Sequence, residues 1–256
     1  MASEVDAVSS SVSWSLGANL ENLILTGTAH VNAAGNALGN VLVGNVGNNV
    51  LNGLGGADIL NGGAGNDVYV VDNLGDVVSE TSTLASEIDA VSSSVSWSLG
   101  ANLENLILTG TAHVDATGNT LGNVLAGNTG NNVLNGGAGQ DTLIGGIGTD
   151  TLIGGVGADR FVFSALNELG TGSGRDVIFD FSSLEGDKID LSKFDANVLT
   201  ATLNKFSFID SNEFTTAGQL RFVDHMLYGN VNGDLGADFE IQLVGVNSLN
   251  ATDLIV

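Results

Sequence analysis

The chain has 256 residues, enough for one elongated domain or two compact ones, with 37 glycines and neither proline nor cysteine. Without cysteine it has no disulfides, and its net charge of −23 argues against DNA, RNA or anionic lipid as partners. All six Lys and Arg residues follow residue 159, whereas residues 1–159 carry 15 acidic groups. Such a chain is suited to binding cations.

A long internal repeat occupies the first 150 residues. Residues 3–67 and 86–150 align at an offset of 83 residues with few changes. The chain begins at the start of a repeat copy, so we expect it to be a piece of a longer protein. No basic region followed by an apolar run opens the chain, and no stretch of about 18 apolar residues occurs, so neither a standard signal peptide nor a membrane span is predicted.

Each repeat copy opens with a lead-in segment. In the first copy Val12, Trp14 and Leu16 alternate with serines, a pattern that predicts a half-buried strand with the tryptophan in the core. Residues 23–25 and 30–32 then predict short strands at a spacing close to that of the repeats that follow. We interpret these segments as irregular coils of a solenoid.

Nonapeptide units follow each lead-in. Residues 35–70 divide into four units and residues 118–162 into five, and the last three of these fit G-G-x-G-x-D-x-U-x, where U is a large apolar residue. The glycines allow a tight turn that includes positive φ, and the last three residues form a short strand. Two units complete one coil, so that units i and i+2 stack about 4.8 Å apart.

The stacking places the eighth and sixth positions of the units in separate columns. The eighth positions predict an apolar interior of Leu125, Leu134, Leu143, Leu152 and Phe161. The sixth positions line up along the two turn edges. They are Asn40, Asn49, Asp58 and Asp67 in the first block, and Asn123, Asn132, Asp141, Asp150 and Asp159 in the second.

Rows of aligned carboxylates are costly without a cation. Two carboxylates about 4 to 5 Å apart repel by roughly 1 kcal/mol in water and about 4 kcal/mol at an effective dielectric of about 20. Carboxylates and turn carbonyls offer the oxygen ligands that calcium prefers, whereas the lack of Cys and of clustered His argues against zinc or copper. The sequence therefore predicts a calcium-dependent fold. The opening units have Leu38 and Leu121 where a turn glycine is expected, so we expect these coils to stack without a strong ion.

The nonapeptide period stops after Phe161, and the chain becomes richer in aromatic residues. The segments RFVF, RDVIFDF, DKIDLS, FSFI, QLRFVD, HMLYGN and DFEIQLVG predict strands, with a short helix near residues 164–169. A solenoid needs a terminal cap over its open apolar end. Residues 163–256 are predicted to form that cap.

The nonapeptides resemble the repeats-in-toxin (RTX) family, whose members are secreted by type I systems of Gram-negative bacteria. Residues 158–256, with the runs ADRFVFSAL, GRDVIFDFSSLEGDKIDLSKFDAN and ADFEIQLVG, resemble the C-terminal domain of serralysin-type metalloproteases. The ending Asp253-Leu254-Ile255-Val256 resembles the tail of their uncleaved secretion signals. No H-E-x-x-H motif occurs, so the protease activity does not carry over.

This resemblance, together with the repeat pattern, implies an all-β fold: a right-handed parallel β-roll or β-helix solenoid of nonapeptide repeats with a C-terminal β-rich cap. In the family, several calcium ions lie between turns i and i+2, which pairs Asp141 with Asp159, Asn132 with Asp150, Asn49 with Asp67 and, as weaker sites, Asn123 with Asp141 and Asn40 with Asp58. The candidate metal ligands are Asp141, Asp159, Asp150, Asn132, Asp58, Asp67, Asn49, Gly136, Gly137, Gly139, Gly145, Gly146, Gly148, Gly154, Gly155 and Gly157.

Four aspartates of the predicted cap admit two interpretations. Related domains suggest a further calcium site, but ordinary alternating strand surface is the interpretation that we favour. The four are Asp176, Asp180, Asp187 and Asp190.

The sequence thus predicts five segments without catalytic function. They are the lead-in strands 1–34, the first nonapeptide block 35–70, the connecting and lead-in strands 71–117, the second nonapeptide block 118–162, and the cap with a type I secretion signal, 163–256.

The predicted function is that of a secreted, extracellular calcium-binding module. It would fold on binding calcium outside the cell and engage the type I secretion apparatus through its C-terminus. One alternative is a repeat segment of an RTX adhesin or surface structural protein. Another is the C-terminal non-catalytic part of a secreted lipase, protease or polysaccharide-modifying enzyme. Any catalytic or adhesive domain would lie upstream.

Overall fold

A computed structural model describes residues 4–256, so the first three residues of the predicted segment 1–34 lie outside the described residues. The chain forms two compact units, one ending at Thr109 and the other running from Gly110 to Val256. Both consist of short β-strands, and no α-helix occurs among residues 4–256. The predicted all-β fold is confirmed. The finer division into five segments stays a prediction.

The first unit contains strands of two to four residues, each ending at a turn. In chain order they are β1 (Ala7–Ser10), β2 (Trp14–Ser15), β3 (Asn22–Leu25), β4 (Ala33–Ala34), β5 (Val41–Val43), β6 (Val50–Asn52), β7 (Ile59–Asn61), β8 (Val68–Val71), β9 (Val77–Ser79), β10 (Ala90–Ser93), β11 (Trp97–Ser98) and β12 (Asn105–Leu108).

Strands of the first unit pair in parallel with strands two places along the chain. β1, β3, β5, β7 and β9 form one sheet, and β2, β4, β6, β8, β10 and β12 follow one another in a second. Within the nonapeptide block the paired residues lie 18 apart, as Leu42 and Leu60 do in β5 and β7. Two nonapeptides therefore complete one coil, as the sequence predicts.

The second unit contains the remaining strands and three short 3₁₀ helices, Leu166–Glu168, Gly172–Gly174 and Ala251–Asp253. Among the described residues, no helix is long and apolar enough to cross a membrane. The strands are β13 (Ala116–Thr117), β14 (Val124–Ala126), β15 (Val133–Ala138), β16 (Thr142–Ile144), β17 (Thr151–Val156), β18 (Arg160–Val162), β19 (Asp176–Ile178), β20 (Lys188–Asp190), β21 (Ser207–Phe208), β22 (Gln219–Val223), β23 (Met226–Asn230), β24 (Phe239–Leu243) and β25 (Leu254–Ile255).

Parallel pairing continues from the nonapeptides of the second unit into its C-terminal part. β13, β15, β17, β19 and β24 form one parallel series, and β14, β16, β18, β20 and β25 form the other. β24, β23 and β22 are antiparallel, and β21 lies parallel to β22. Each predicted strand segment of the cap contains an observed strand, so the β-rich nature of residues 163–256 is confirmed.

The predicted apolar interior is also confirmed. Leu125, Leu134, Leu143, Leu152 and Phe161 are all fully buried. The equivalent column of the first unit is equally buried. It consists of Leu42, Leu51, Leu60 and Tyr69.

The lead-in differs from its prediction. Val12 and Trp14 are 58% and 46% exposed, and of the three alternating residues only Leu16 is buried. The Ser10 hydroxyl hydrogen-bonds to both the carbonyl and the N–H of Val12, which ends β1 and leaves β2 only two residues long. The strand predicted at 30–32 is likewise shifted to β4. The expected core position of Trp14 is therefore wrong.

Candidate metal centres

The nonapeptide turns fall into two types, which we name by the residue at the sixth position. The two types differ in backbone conformation and in hydrogen bonding. Asn turns begin at Gly35, Gly44, Gly118 and Gly127, and Asp turns begin at Gly53, Gly62, Gly136, Gly145 and Gly154.

Asn turns are closed by their own side chains. In the turn that begins at Gly127, the N–H of Asn128 donates to Asn132 Oδ1 (2.9 Å) and the N–H of Gly130 donates to Asn128 Oδ1 (2.7 Å). The Asn132 amide donates to the carbonyl of Val114 (2.6 Å). The same two N–H bonds recur in the other three Asn turns. These turns therefore satisfy their polar groups without an ion.

The closed Asn turn explains the leucines at the fourth position. Leu38 and Leu121 have ordinary negative φ, and so do the glycines at that position in the two other Asn turns. The left-handed glycine that the sequence analysis expects there is not needed, because Asn36 and Asn119 hold the turn by accepting the leucine N–H groups. The reason given for weak ion binding at these coils, a misplaced leucine, is therefore wrong.

Asp turns are linked into continuous columns, which we call carboxylate ladders. The N–H of Asn123 donates to Asp141 Oδ1 (2.7 Å), and the N–H of Asp141 donates to Asp159 Oδ1 (2.9 Å). The N–H of Asn132 donates in the same way to Asp150 Oδ1 (2.8 Å). Every Asp turn thus uses one carboxylate oxygen to bind the coil before it.

The second carboxylate oxygen of each Asp turn is buried and accepts no hydrogen bond from the described residues. The aspartates themselves are at most 1% exposed. A buried polar atom left without a partner costs about 1–3 kcal/mol, and a charged one more. These oxygens therefore require a cation or a proton. The atoms are Oδ2 of Asp58, Asp67, Asp141, Asp150 and Asp159, and of Asp176 beyond the repeats.

Backbone carbonyls line the gaps between successive Asp turns. Gly155 and Gly157 have φ of +93° and +145°, and a Cβ added to either would collide with the carbonyl oxygen of Gly137 or Gly139 in the preceding coil. A Cβ added at Gly136 would contact both Asp141 Oδ2 and the Gly154 carbonyl oxygen, so these two atoms face one point. Carboxylate and carbonyl oxygens together form the donor set that suits a hard cation such as calcium.

Two adjacent glycines of one Asp turn test this close stacking. Gly56 has φ of +127°, and an added Cβ would collide with the carbonyl of Leu38, whereas Gly55 has ordinary φ and open space around it. We expect Gly56→Ala to lower the free energy of unfolding in calcium by about 3 kcal/mol or more, from backbone strain and overpacking. Gly55→Ala is the matched control and should change it by less than about 1 kcal/mol. Urea unfolding followed by circular dichroism measures both, and equal effects would contradict the stacking.

Burial raises the pKa of the ladder carboxyls. The pKa rises to about 6 for Asp58 and Asp67, to about 7 for Asp150 and to about 8 for Asp176. In every case desolvation is the main cause, and the hydrogen bond from the preceding coil lowers the pKa only partly. Neighbouring carboxylates add to the rise at several of these sites. No Lys or Arg in residues 1–159 offsets them.

The structure brings together the sixth positions of each predicted pair, from Asn40 and Asp58 in the first unit to Asp141 and Asp159 in the second. Each pair is joined by an N–H to Oδ1 bond. Asn49 and Asn132 already accept an N–H with their side-chain oxygens. Coordination of calcium by these residues, and by the nine glycines named above, stays a prediction.

Four further aspartates extend the ladders. The sequence did not predict that they belong to them. Their Oδ1 atoms accept N–H groups from the last Asp turns at 2.7–2.9 Å. Asp76 alone among the four keeps the 18-residue spacing, so the repeat period could have predicted it. The other three follow their partners after 22, 26 and 28 residues. The pairs are Asp58 with Asp76, Asp67 with Asp89, Asp150 with Asp176, and Asp159 with Asp187.

The four cap aspartates therefore have different roles. Asp176 and Asp187 are buried in separate ladders, so the favoured strand-surface interpretation is wrong for them. Asp180 accepts the N–H groups of Gly154 and Gly155, and Asp190 pairs with Arg160. The alternative of one calcium site built from all four is not supported by these contacts.

A parallel β-solenoid with oxygen-lined gaps between its Asp turns defines the class of calcium-binding β-rolls. Within that class, the sequence model of the RTX calcium-binding nonapeptide repeat matches this chain in four copies, over residues 35–69, 117–152 and 126–161. The chain thus carries RTX calcium-binding nonapeptide repeats, a non-catalytic structural module typical of secreted proteins.

One solved structure with similarity to the chain is the extracellular lipase LipA from Serratia marcescens, at 16% sequence identity and a TM-score of 0.26. The alignment covers 98% of this chain and 42% of the lipase chain, so the chain spans less than half of the lipase length. A search among curated proteins gave no match.

Proposed function

We propose that this chain is a non-catalytic module that folds when it binds several calcium ions outside the cell. The buried Oδ2 atoms of the Asp turns carry this proposal, because no residue in the described part of the chain donates a hydrogen bond to them. Asp58, Asp67, Asp141, Asp150 and Asp159 would hold the ions together with the turn carbonyls. Bound calcium supplies the positive charge that residues 1–159 do not provide.

The cost of the buried carboxylates is comparable to the whole stability of a typical protein. Folding is therefore expected to require calcium. A buried carboxylate that is ionised without a partner costs several kcal/mol, so two or three of them could remove a native stability of roughly 5–15 kcal/mol. Extracellular modules bind calcium with dissociation constants of about 10⁻⁴–10⁻³ M. At roughly tenfold saturation each site adds about 1.4 kcal/mol by mass action, so several sites together decide the outcome.

The C-terminal tail supports export before folding. Leu254 and Ile255 form β25, which pairs with β20, and Asp253 is 3% exposed. A secretion signal in this tail is covered in the folded chain and accessible only when the cap is open. We therefore propose that the type I secretion apparatus engages the tail of the calcium-free chain and that calcium-driven folding follows in the extracellular medium.

A calcium titration of the full chain tests the proposal. In chelator we expect little β-structure in the far-ultraviolet circular dichroism spectrum, and we expect a cooperative increase as calcium reaches about 10⁻⁴–10⁻³ M. Magnesium at the same concentrations is the control, because it demands a tighter octahedral geometry and keeps its water ligands. Identical β-signal in chelator and in millimolar calcium would falsify the proposal.

A second candidate function is a ligand-binding rod of an adhesin or surface protein. Trp14 favours it, because this half-exposed ring lies in a groove with Asn32, Val50 and Asn52, as carbohydrate-stacking aromatics do. Binding of residues 1–117 to cells or glycans would support this candidate. Export of an unrelated passenger fused to residues 118–256 would support the first. An upstream enzyme would be compatible with either.

A further inference from the structure

A cluster of three buried carboxylates lies in the first unit, where the first block of RTX repeats ends. One oxygen from each of Asp67, Glu80 and Asp89 lies within 4.8 Å of the others, and the residues are 0%, 8% and 2% exposed. Asp67 is the sixth residue of the last nonapeptide of the first block, whereas Glu80 and Asp89 lie beyond the matched repeats. The cluster joins the first β-roll block to the second lead-in.

Most oxygens of the cluster have identified donors. Glu80 Oε1 accepts the N–H of Ser82 (2.6 Å), and Glu80 Oε2 accepts the hydroxyl of Tyr69 (2.7 Å). Asp89 Oδ1 accepts the N–H of Asp67 (2.7 Å). Both oxygens of Glu80 therefore already accept a hydrogen bond.

Asp67 Oδ2 is the oxygen without a donor, and it points into the cluster. It is buried and accepts no hydrogen bond from the described residues. A Cβ added at Gly62 would contact both Asp67 Oδ2 and Tyr69 Oη, so both atoms face the same point. Tyr69 Oη in turn bonds Glu80. The unsatisfied oxygen therefore faces the Tyr69–Glu80 pair, which marks a place for a positive ligand.

No side chain of this unit supplies that charge. Residues 4–109 contain neither Lys nor Arg, and Glu87 and Glu104 contribute further negative charge beside Asp67 and Asp89. Buried charges are stable only when they are paired or coordinate a metal. Three carboxylates supply hard oxygen ligands, which favour calcium over zinc or copper.

We propose that Asp67, Glu80 and Asp89 bind one calcium ion that fastens the second lead-in to the end of the first β-roll block. Asp67 follows the last turn, Glu80 opens the loop 80–89, and Asp89 precedes β10, so one ion fixes all three. The site shares Asp67 with the nonapeptide sites and adds Glu80 and Asp89 from outside the matched repeats. It therefore rests on the proposed function in the choice of cation and in the role of Asp67.

The second repeat copy is a natural comparison, because it lacks this cluster. At the offset of 83 residues, Asp150 corresponds to Asp67, but Leu152, Phe163 and Gly172 replace Tyr69, Glu80 and Asp89. The ladder of Asp150 continues to Asp176 instead. The junction site is thus built by the sequence that connects the two copies, and the nonapeptide itself does not create it.

Glu80→Gln in the full chain tests the junction site. We expect the number of calcium ions bound in a calorimetric titration to fall by one. We also expect terbium luminescence sensitised through Tyr69 to be lost, and proteolysis at residues 81–88 to require about tenfold more calcium for protection, which corresponds to about 1.4 kcal/mol. Glu21→Gln is the matched control, since Glu21 accepts the Asp6 N–H as Glu104 accepts that of Asp89, but has no such cluster.

Asp89→Asn provides an independent second variant. Both variants should keep the parent circular dichroism spectrum in saturating calcium, because the nonapeptide sites are unchanged. Unchanged ion stoichiometry in both variants, with a protein that still folds on calcium addition, would overturn the junction site and leave the proposed function standing. A full chain whose folding does not change with calcium concentration would instead overturn the proposed function.

Discussion

Asp159→Asn is expected to make the protein more stable in chelator and less stable in calcium. Asp159 is 1% exposed, and its buried Oδ2 atom accepts no hydrogen bond from residues 4–256. Burial raises the pKa of this carboxyl, and Asp141, Asp180 and Glu185 raise it further. A neutral amide removes that repulsion, but it also removes a charged ligand from the gap between two Asp turns.

The sign reversal distinguishes a calcium ligand from a residue that serves only in packing. In chelator the free energy of unfolding should rise by about 1–3 kcal/mol, the cost of the unsatisfied buried oxygen. In calcium the concentration needed for half-maximal folding should rise at least about tenfold, equivalent to about 1.4 kcal/mol. A calcium titration followed by circular dichroism measures the second value. Because the calcium-free chain has little β-structure, the first is measured as the gain of β-signal in chelator when a stabilising osmolyte such as TMAO is added. The amide keeps one side-chain oxygen, which can accept the Asp141 N–H as Asp159 Oδ1 does.

Asp115→Asn is the control for this prediction. Asp115 is exposed and accepts the N–H of Val133, as Asn32 accepts that of Val50 in the first copy. The same isosteric change there should leave both stabilities within about 0.5 kcal/mol of the parent. A shift of the same sign in chelator and calcium at Asp159 would contradict a ligand role.

The period of nine residues predicts much of this fold because it fixes which residues superpose. Leu134 pairs with Leu152 and Leu143 with Phe161, as units i and i+2 require. Alternation along a three-residue strand then determines which side chains are buried. The same spacing places Asp141 beside Asp159, so the ladder as well as the core could be predicted.

Residues beyond the period could not be predicted, because nothing in the repeat encodes the length of an insertion. Asp89 continues a ladder after 22 residues and Asp187 after 28, at distances that only the folded loops determine. Glu80 joins the junction cluster through the hydroxyl of Tyr69, which occupies a position where the other units have leucine or phenylalanine. Tyrosine at this position of the repeat was the feature of the sequence that could have indicated the cluster.

The Asn turns carry a second sequence signal, which distinguishes them from the Asp turns. Asparagine recurs at the second position as well as the sixth, for example Asn45 with Asn49 and Asn128 with Asn132. The side-chain oxygen of asparagine readily accepts a backbone N–H two residues later, which closes a turn without positive φ. The pair therefore predicts a self-sufficient turn, whereas a lone sixth-position Asn suggests a weak ion ligand.

Acidification in chelator is expected to fold this protein rather than unfold it. The ladder carboxyls have raised pKa values in the folded chain, about 6 for Asp58, about 7 for Asp150 and about 8 for Asp176, against 3.8 for an ordinary Asp. The folded state therefore binds protons more tightly than the unfolded state. Its stability is fully present below about pH 4 and is lost as pH rises through the folded pKa values.

Carboxyls whose pKa is lowered on folding limit the stabilisation by acid at low pH. The pKa of Asp190 is lowered in the folded chain, because hydrogen bonds from Ser192 and Arg160 outweigh the effect of burial. Its contribution to stability is present above the unfolded pKa and is lost as pH falls through the folded value. The calcium-free chain should therefore gain β-signal between about pH 8 and pH 5, with no further gain near pH 3.

Calcium should reverse this pH dependence, because protons and calcium compete for the same Oδ2 atoms. Metal ligands must be deprotonated, so the calcium concentration for half-maximal folding should rise as pH falls from about 8 to about 5. Circular dichroism at a series of pH values, with chelator and with calcium, gives both trends in one experiment. Carboxylates of a solvated turn edge would give neither trend, since their pKa values would be the same in the folded and unfolded chain. A calcium-free chain that loses β-signal on acidification to pH 5 would thus show that the Asp-turn carboxylates are already satisfied, and the case for ions between the turns would fail with it.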